Sequence, residues 1–336
     1  GLAVLAGGSQ TRPYRKSIIR RGGFQTRPSV VLALNVDAPL GHAEPNRYAR
    51  ADVWGTTMQF VSYATNGNAT WGLVVGDGVV DLGARGPHGS LKAAIAAGDL
   101  MDIGSAAQGE SPDAALADIT YLPTITDPDQ IFCAGKNYKD HVEEMGFEMP
   151  DHLTLFIKAN STLVPHRGEM IRPKVSECLD FEGEICAVIG RETRHVSEAE
   201  ALDCIAGYTI MVDGSVRDFQ KHSVTAGKNF VATGPLGPVM TTADEIPDPS
   251  ELHVTTRLNG DVVQDCSANM LIFDIPYIIS YLSKITPLQP GDVVATGSPA
   301  GSGAGRDPLL WMKGGDKLEV EVSRIGTLAV DIVDET

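Results

Sequence analysis

From Met58 onward, apolar and polar positions alternate in short runs, the period of strands with one buried face. Residues 59–63, 72–75 and 79–82 are such runs, broken by Asn66-Gly67 and by Gly76-Asp77-Gly78, so a small antiparallel meander with tight turns is expected. Residues 90–97 and 112–117 read as short helices, the first capped by Ser90. The Pro- and Asp-rich stretch 122–130 reads as a linker. Beyond it, strand signals recur at 131–134, 154–158, 181–189, 208–212, 252–258, 262–266, 293–296, 318–322 and 328–333, with Asn259-Gly260 as a hairpin turn. Helices are fewer. One is expected at 138–145, one at 197–204 behind a Ser197/Glu200 capping box, and one at 274–284 with Pro276 in its first turn. The pattern predicts an α+β, β-dominated chain, unlike an alternating βαβ one. It divides into a leader (1–57), a small N-terminal α/β domain (58–121), a linker (122–130) and a larger domain (131–336).

Composition narrows the function classes. The charge is uneven: residues 1–36 hold six basic side chains and no acidic one, leaving 21 basic against 43 acidic residues in the rest. So acidic a body, with no local basic patch, argues against nucleic acid and anionic lipid as partners. No run reaches the ~18 apolar residues of a membrane helix. The five cysteines are scattered and form no CxxC, which argues against a disulfide framework or a structural zinc and favours the reducing cytoplasm. The leader, which opens with Gly1 and precedes the first methionine, Met58, reads as a tail or as upstream sequence joined by a misplaced start, with a transit peptide as a third reading.

Three stretches carry candidate chemistry. In LDFEGEICAVIG, Glu182 and Glu184 are two apart on a strand and share a face, while Phe181, Ile185, Ala187 and Ile189 fall on the other. Neighbouring like charges need a cation between them, and all-oxygen ligands favour Mg²⁺, with Mn²⁺ or Ca²⁺ as alternatives. A solvated acidic strand face is the competing reading. Asp213 ends an apolar strand and is followed by Arg217 and Gln220 at helical spacing. His141 and Glu144 lie three apart on a short helix, where a carboxylate can orient an imidazole as a general base. His152, His166, His195 and His222 read as surface or satisfied core histidines. The glycine-rich run 297–305 lacks the Lys-Ser/Thr ending of a phosphate loop.

Together these stretches resemble the fumarylacetoacetate hydrolase family. Its landmarks appear in order: an NYxxHxxEMG helix at 137–146, FxK at 156–158, DxEGE at 180–184 and GYTxxxDxxxRDxQ at 207–220. Gly227-Lys228, a CPLGP-like segment at 234–238 and PGDVxxTGxPAG at 290–301 follow. The resemblance covers residues 58–336. It implies a mixed β-sandwich roll, a homodimer, and metal carboxylates at Glu182, Glu184 and Asp213. It implies a lid dyad of His141 and Glu144, a charge-stabilising Lys228, and substrate contacts from Lys158, Arg217, Gln220 and Thr296. The extra acidic ligand that longer members carry ahead of the lid histidine is missing from FCAGKNYKD, where water would take its place. Gly214-Ser215 also departs from the commoner bulky pair. The shorter branch that results includes acylpyruvate and fumarylpyruvate hydrolases, oxaloacetate decarboxylases and isomerase/decarboxylases of aromatic catabolism. The expected activity is Mg²⁺-dependent cleavage of a C–C bond in a small 2,4-dioxo acid. The alternatives are decarboxylation or isomerisation of a 2-oxo dioic acid, hydrolysis of a diketo-deoxy sugar acid, and a metal-binding scaffold without catalysis.

Overall fold

Strands that bury one face need a second layer to bury it against. The computed structural model, which describes residues 57–336, provides two large sheets and a two-stranded ribbon of Leu179–Asp180 with Ser215–Val216. The larger starts at an edge pair, Ala114–Ala115, and runs through Gly78–Asp81, Asn68–Val75, Gln59–Thr65, Gly234–Thr242, Ile205–Val212, Gly183–Ile189, Val293–Ala295 and Ile131–Gly135 to Thr154–Lys158. The five-stranded sheet orders Asp261–Ser267, His253–Leu258, Lys317–Val322, Gly326–Asp334 and Glu169–Arg172. This is the expected strand-dominated α+β architecture. The meander of 58–121 and the strands beyond 131 belong to one continuous sheet, because Gln59–Thr65 pairs with Gly234–Thr242. The leader, apart from its last residue, lies outside the described residues. No helix among the described residues is long and apolar enough to cross a membrane.

Gly183–Ile189 lies at the centre and is buried on both faces, which explains its nearly unbroken apolar sequence. Ile185, Ala187 and Ile189 join a core shared with Val254 and Val320 of the second sheet. Cys186 and Val188 pack into the other core with Met211, Leu236 and Val293. Gly183 faces the second sheet at close range: a Cβ there would stand 2.4 Å from Thr256 Oγ1.

Local signals hold at the caps. Ser90 accepts the Ala93 N–H, the Ser197/Glu200 box forms, and Asp274 caps the helix Ile275–Ile285. Residues 112–117 are not helical. Asp113 and Leu116 give their N–H groups to Val79 and Asp77 carbonyls, so sheet pairing captures a stretch too short to nucleate a helix. The helix Leu100–Ala107 was hidden by Gly104, which lets the Phe60 ring approach to 2.7 Å of a would-be Cβ. The strand Gly234–Thr242 was masked by Pro235 and Pro238, which cannot donate to a ladder. His166 is a satisfied core histidine whose Nδ1 accepts the Ala329 N–H at 3.0 Å.

Gly183→Val should lower stability by about 1–3 kcal/mol through overpacking between the sheets, read as an earlier midpoint in denaturant melts. An unchanged midpoint would show that the sheets can part there without cost.

Candidate active site

The central register builds the site. Gly183 pairs with Val212, so the residues just beyond the ladder, Glu182 and Asp213, lie side by side, and the Asp213 N–H reaches the Glu182 carbonyl at 2.9 Å. Glu184 projects one strand position on, its Oε2 accepting the Gly297 N–H at 2.8 Å. All three acids are buried and line one cavity of about 640 Å³, with Arg217, Gln220, Lys228 and His141.

Three basic side chains answer these acids. Lys228, at the end of the short helix Val224–Lys228, bonds Glu182 Oε2 and reaches Asp213 Oδ2 at 2.6 Å. Arg217 gives Nε to Asp180 (2.7 Å), Nη2 to Glu182 Oε1 (2.8 Å) and Nη1 to Gln220 (2.9 Å). Lys158 sits 2.9 Å from Asp213 Oδ1, but its hydrogen bonds go to the carbonyls of Lys228 and Gly214. Asp213 Oδ1 therefore remains a buried oxygen with no hydrogen-bond donor.

The environments separate the two glutamates. Burial acts to raise the Glu182 carboxyl, yet Arg217 and Lys228 outweigh it and hold it well below the usual carboxylate range. Burial pushes Glu184 well above that range, with Asp213 and Glu182 adding to the shift. Lys228 is held protonated, its burial outweighed by Asp213 and Glu182.

His141 is buried on the helix Lys139–Glu144, its Nδ1 3.4 Å from Glu144 and its Nε2 3.9 Å from Glu182. Both Glu144 oxygens lie near the Gly301 N–H, at 3.0 and 3.1 Å. Thr296 is brought close to the site but turned away from it: its hydroxyl donates to the Ile185 carbonyl at 2.9 Å, and it does not line the cavity. Lys158 also stays behind the cavity wall.

Four supporting residues were not singled out from sequence. Asp180 is fully buried and takes Arg217 together with the Gly303 and Ala304 N–H groups. Its place two residues before Glu182 was the available signal. Ser215 donates to Glu182 at 2.8 Å. Asn137 bonds the Phe273 and Thr296 carbonyls, and Gln264 links Gly183 to Ser298. Asn137 and Ser215 fell inside stretches that carry the family resemblance but were given no role, and Gln264 had no signal, because its partners are distant in the chain.

Among the described residues, no three His, Cys, Asp or Glu side chains are grouped as a metal site as they stand. Lys228 holds Glu182 and Asp213 on its own ammonium. The donor chemistry nevertheless fits a hard dication. Four carboxyl groups, Asp180, Glu182, Glu184 and Asp213, face three cations, Lys158, Arg217 and Lys228; Asp213 Oδ1 has no hydrogen-bond donor, and Glu184 has no cation within ion-pair distance among the described residues.

A strand-dominated roll with this cluster of acids defines an enzyme family. Residues 130–333 match the model for the fumarylacetoacetate (FAA) hydrolase C-terminal domain, and the chain belongs to the fumarylacetoacetate hydrolase family. Oxaloacetate tautomerase YisK of Bacillus subtilis is 41% identical over 208 residues, covering 60% of this chain and 69% of that protein. The mitochondrial oxaloacetate tautomerase Fahd2a of Rattus norvegicus is 32% identical over 266 residues, covering 77% and 85%. Among solved structures, maleylpyruvate hydrolase from Sphingobium sp. SYK-6, in complex with manganese(II) and pyruvate, has a TM-score of 0.70 at 26% identity. The match covers 83% of this chain and all of that one.

Because Glu184 is raised, the folded metal-free protein keeps a proton there that the unfolded chain releases. Stability should therefore fall as pH rises above the ordinary Glu value, and Glu184→Gln should flatten that fall. Melts of metal-free protein from about pH 5 to about pH 8 test this; equal slopes for the two proteins would refute it.

Proposed function

We propose that this chain forms and reprotonates the enolate of a small 2-oxo acid, with enol–keto tautomerisation of oxaloacetate as its reaction. The observation that carries the reading is one cavity lined by three buried carboxylates, the ammonium paired with them and His141, whose ring Glu144 backs. The tautomerase names of the relatives in Bacillus and rat support the choice of substrate.

Glu182, Glu184 and Asp213 would hold a divalent cation, which when bound supplies Lewis acidity to the 2-keto oxygen. Their hard oxygens suit Mg²⁺ or Mn²⁺. Manganese is the ion found with the maleylpyruvate hydrolase neighbour. His141 is the group that moves the proton at the carbon beside the ketone. Glu144, fixed by the Gly301 N–H, orients the imidazole. Lys228, held protonated, offsets the negative charge that grows on the substrate oxygen. Arg217 acts on Glu182, fixing the carboxylate in place from the side of Asp180.

C–C hydrolysis of an acylpyruvate, the expectation from sequence, is the second reading. It is favoured by the apolar wall of Met145, Phe147, Phe156, Leu309 and Trp311, which gives the cavity more room than a four-carbon acid fills. In that reaction His141 would take the proton of the attacking water.

With Mn²⁺ or Mg²⁺, the purified protein should accelerate loss of the enol absorbance of oxaloacetate, and chelator should abolish the effect. His141→Ala should lower kcat by about 10²–10⁴-fold with an unchanged melt. Pyruvate release from acetylpyruvate without oxaloacetate tautomerisation would reverse the order of the two readings. Activity indifferent to both chelator and His141→Ala would sink the mechanism.

A further inference from the structure

The glycine-rich loop turns its N–H groups towards the acids of the site. The Gly297 N–H goes to Glu184, the Gly301 N–H to Glu144, and those of Gly303 and Ala304 to Asp180. A trans peptide points its N–H and its C=O in opposite directions, so whatever holds the carbonyls aims the N–H groups. Asn137 holds the Thr296 carbonyl, and the Leu310 N–H holds that of Gly303. Two side chains hold the stretch between. Gln264 Nε2 donates to the Pro299 carbonyl at 2.8 Å, and Arg306 Nε donates to the Gly301 carbonyl at 3.0 Å. These two carbonyls flank the Ala300–Gly301 peptide, the unit whose N–H meets Glu144.

A break in the edge strand of the five-stranded sheet places both side chains. Asp261–Ser267 pairs Gln264 with Thr256 and Val262 with Arg257, which leaves Val263 as the extra residue of a β-bulge. Alternation fails there, and Val263 and Gln264 are buried in succession. Arg306 Nη2 takes the Val263 carbonyl at 2.6 Å, so its guanidinium fork spans bulge and loop. Gly301, at φ 99°, lies so close that a Cβ on it would collide with the Val263 carbonyl oxygen. The hydrogen bonds allow the Gln264 amide one orientation. The Gly183 N–H can only donate, so Oε1 faces it at 3.0 Å, and the amide nitrogen faces Pro299 and Ser298. The amide thereby ties the strand of Glu182 and Glu184 to the loop.

We propose that Gln264 and Arg306 are positioning residues for the reaction: they fix the Ala300–Gly301 peptide so that its N–H holds Glu144 behind His141. The inference rests on the enolate reading, in which the His141–Glu144 pair moves the substrate's proton. Neither side chain lines the cavity, so each acts through the loop and touches no substrate.

The test is a pair of double-variant cycles on the full chain. The first needs no activity and follows amide hydrogen exchange at Gly301 by NMR. Arg306→Met should speed that exchange about tenfold, the protection of about one hydrogen bond. Glu144→Ala should do the same, and combining the two should add less than about twofold. The second cycle follows kcat for oxaloacetate tautomerisation with Mn²⁺. Arg306→Met should lower kcat by about 10–100-fold with KM and Mn²⁺ affinity unchanged. In the Glu144→Ala background it should change kcat by less than about twofold. Gln264→Met should act alike but melt earlier, because it also strips the buried Gly183 N–H of its acceptor; Arg306→Met decides the matter should that variant not fold. Gly301 exchange indifferent to Arg306→Met, or additive effects in the exchange cycle, would overturn the proposal. So would a kcat loss that persists in full without Glu144. A wild type that turns over no oxaloacetate removes the reaction, and the exchange cycle then decides alone whether the two residues hold Glu144.

Discussion

The structure depends on like charges forced together. The antiparallel register that pairs Gly183 with Val212 leaves Glu182 and Asp213 adjacent just past the ladder, and Glu184 one position inside it. Two unit charges about 4 Å apart repel by about 4 kcal/mol at an effective dielectric of about 20. Burial removes the water that would otherwise screen them. The fold keeps them there only by surrounding them with cations: Arg217 from the following helix, Lys228 from the next, and Lys158 from the edge of the sheet. Even so, four carboxyl groups answer to three cations, and the one without a cation in ion-pair distance, Glu184, is pushed by burial and its acidic neighbours to keep its proton in the metal-free fold. Under the proposed function, a divalent cation would take the place of that proton and supply Lewis acidity to a chelating ligand.

A second constraint couples this cluster to the His141–Glu144 pair. Asp180 holds Arg217 on one side and the Gly303 and Ala304 N–H groups on the other. The same glycine-rich loop provides the Gly301 N–H for Glu144, and a Cβ at Gly305 would stand 2.4 Å from the Glu144 carboxyl carbon. The loop is therefore a spacer whose missing side chains let the helix of His141 lie against the acids. The glycine-rich run, which lacks the ending of a phosphate loop, is a backbone surface fitted to a glutamate.

Much of this was legible from local pattern. The caps at Ser90 and Ser197 follow from side chains that reach their own backbone, so a few residues suffice to see them. Period-two alternation identified the glutamate strand, and the acids, His141 and Glu144 stood out because their chemistry is local too. Where the pattern failed, a distant partner had decided the outcome. Residues 112–117 became an edge strand because Val79 and Asp77 offered carbonyls, and Gly234–Thr242 became a central strand despite two prolines because both its flanks were already occupied by strands.

The sequence by itself determined the identities of the charged groups, the two-residue spacing of the glutamates and the β-dominated class, since these are properties of neighbours in the chain. Only the tertiary structure decided which charges meet. It turned the Thr296 hydroxyl towards Ile185, placed Lys158 behind the wall, and set Lys228 on two acids. Spacing along a strand fixes which way a side chain points. The register between strands far apart in sequence fixes what it points at, and the electrostatics of the site arise there.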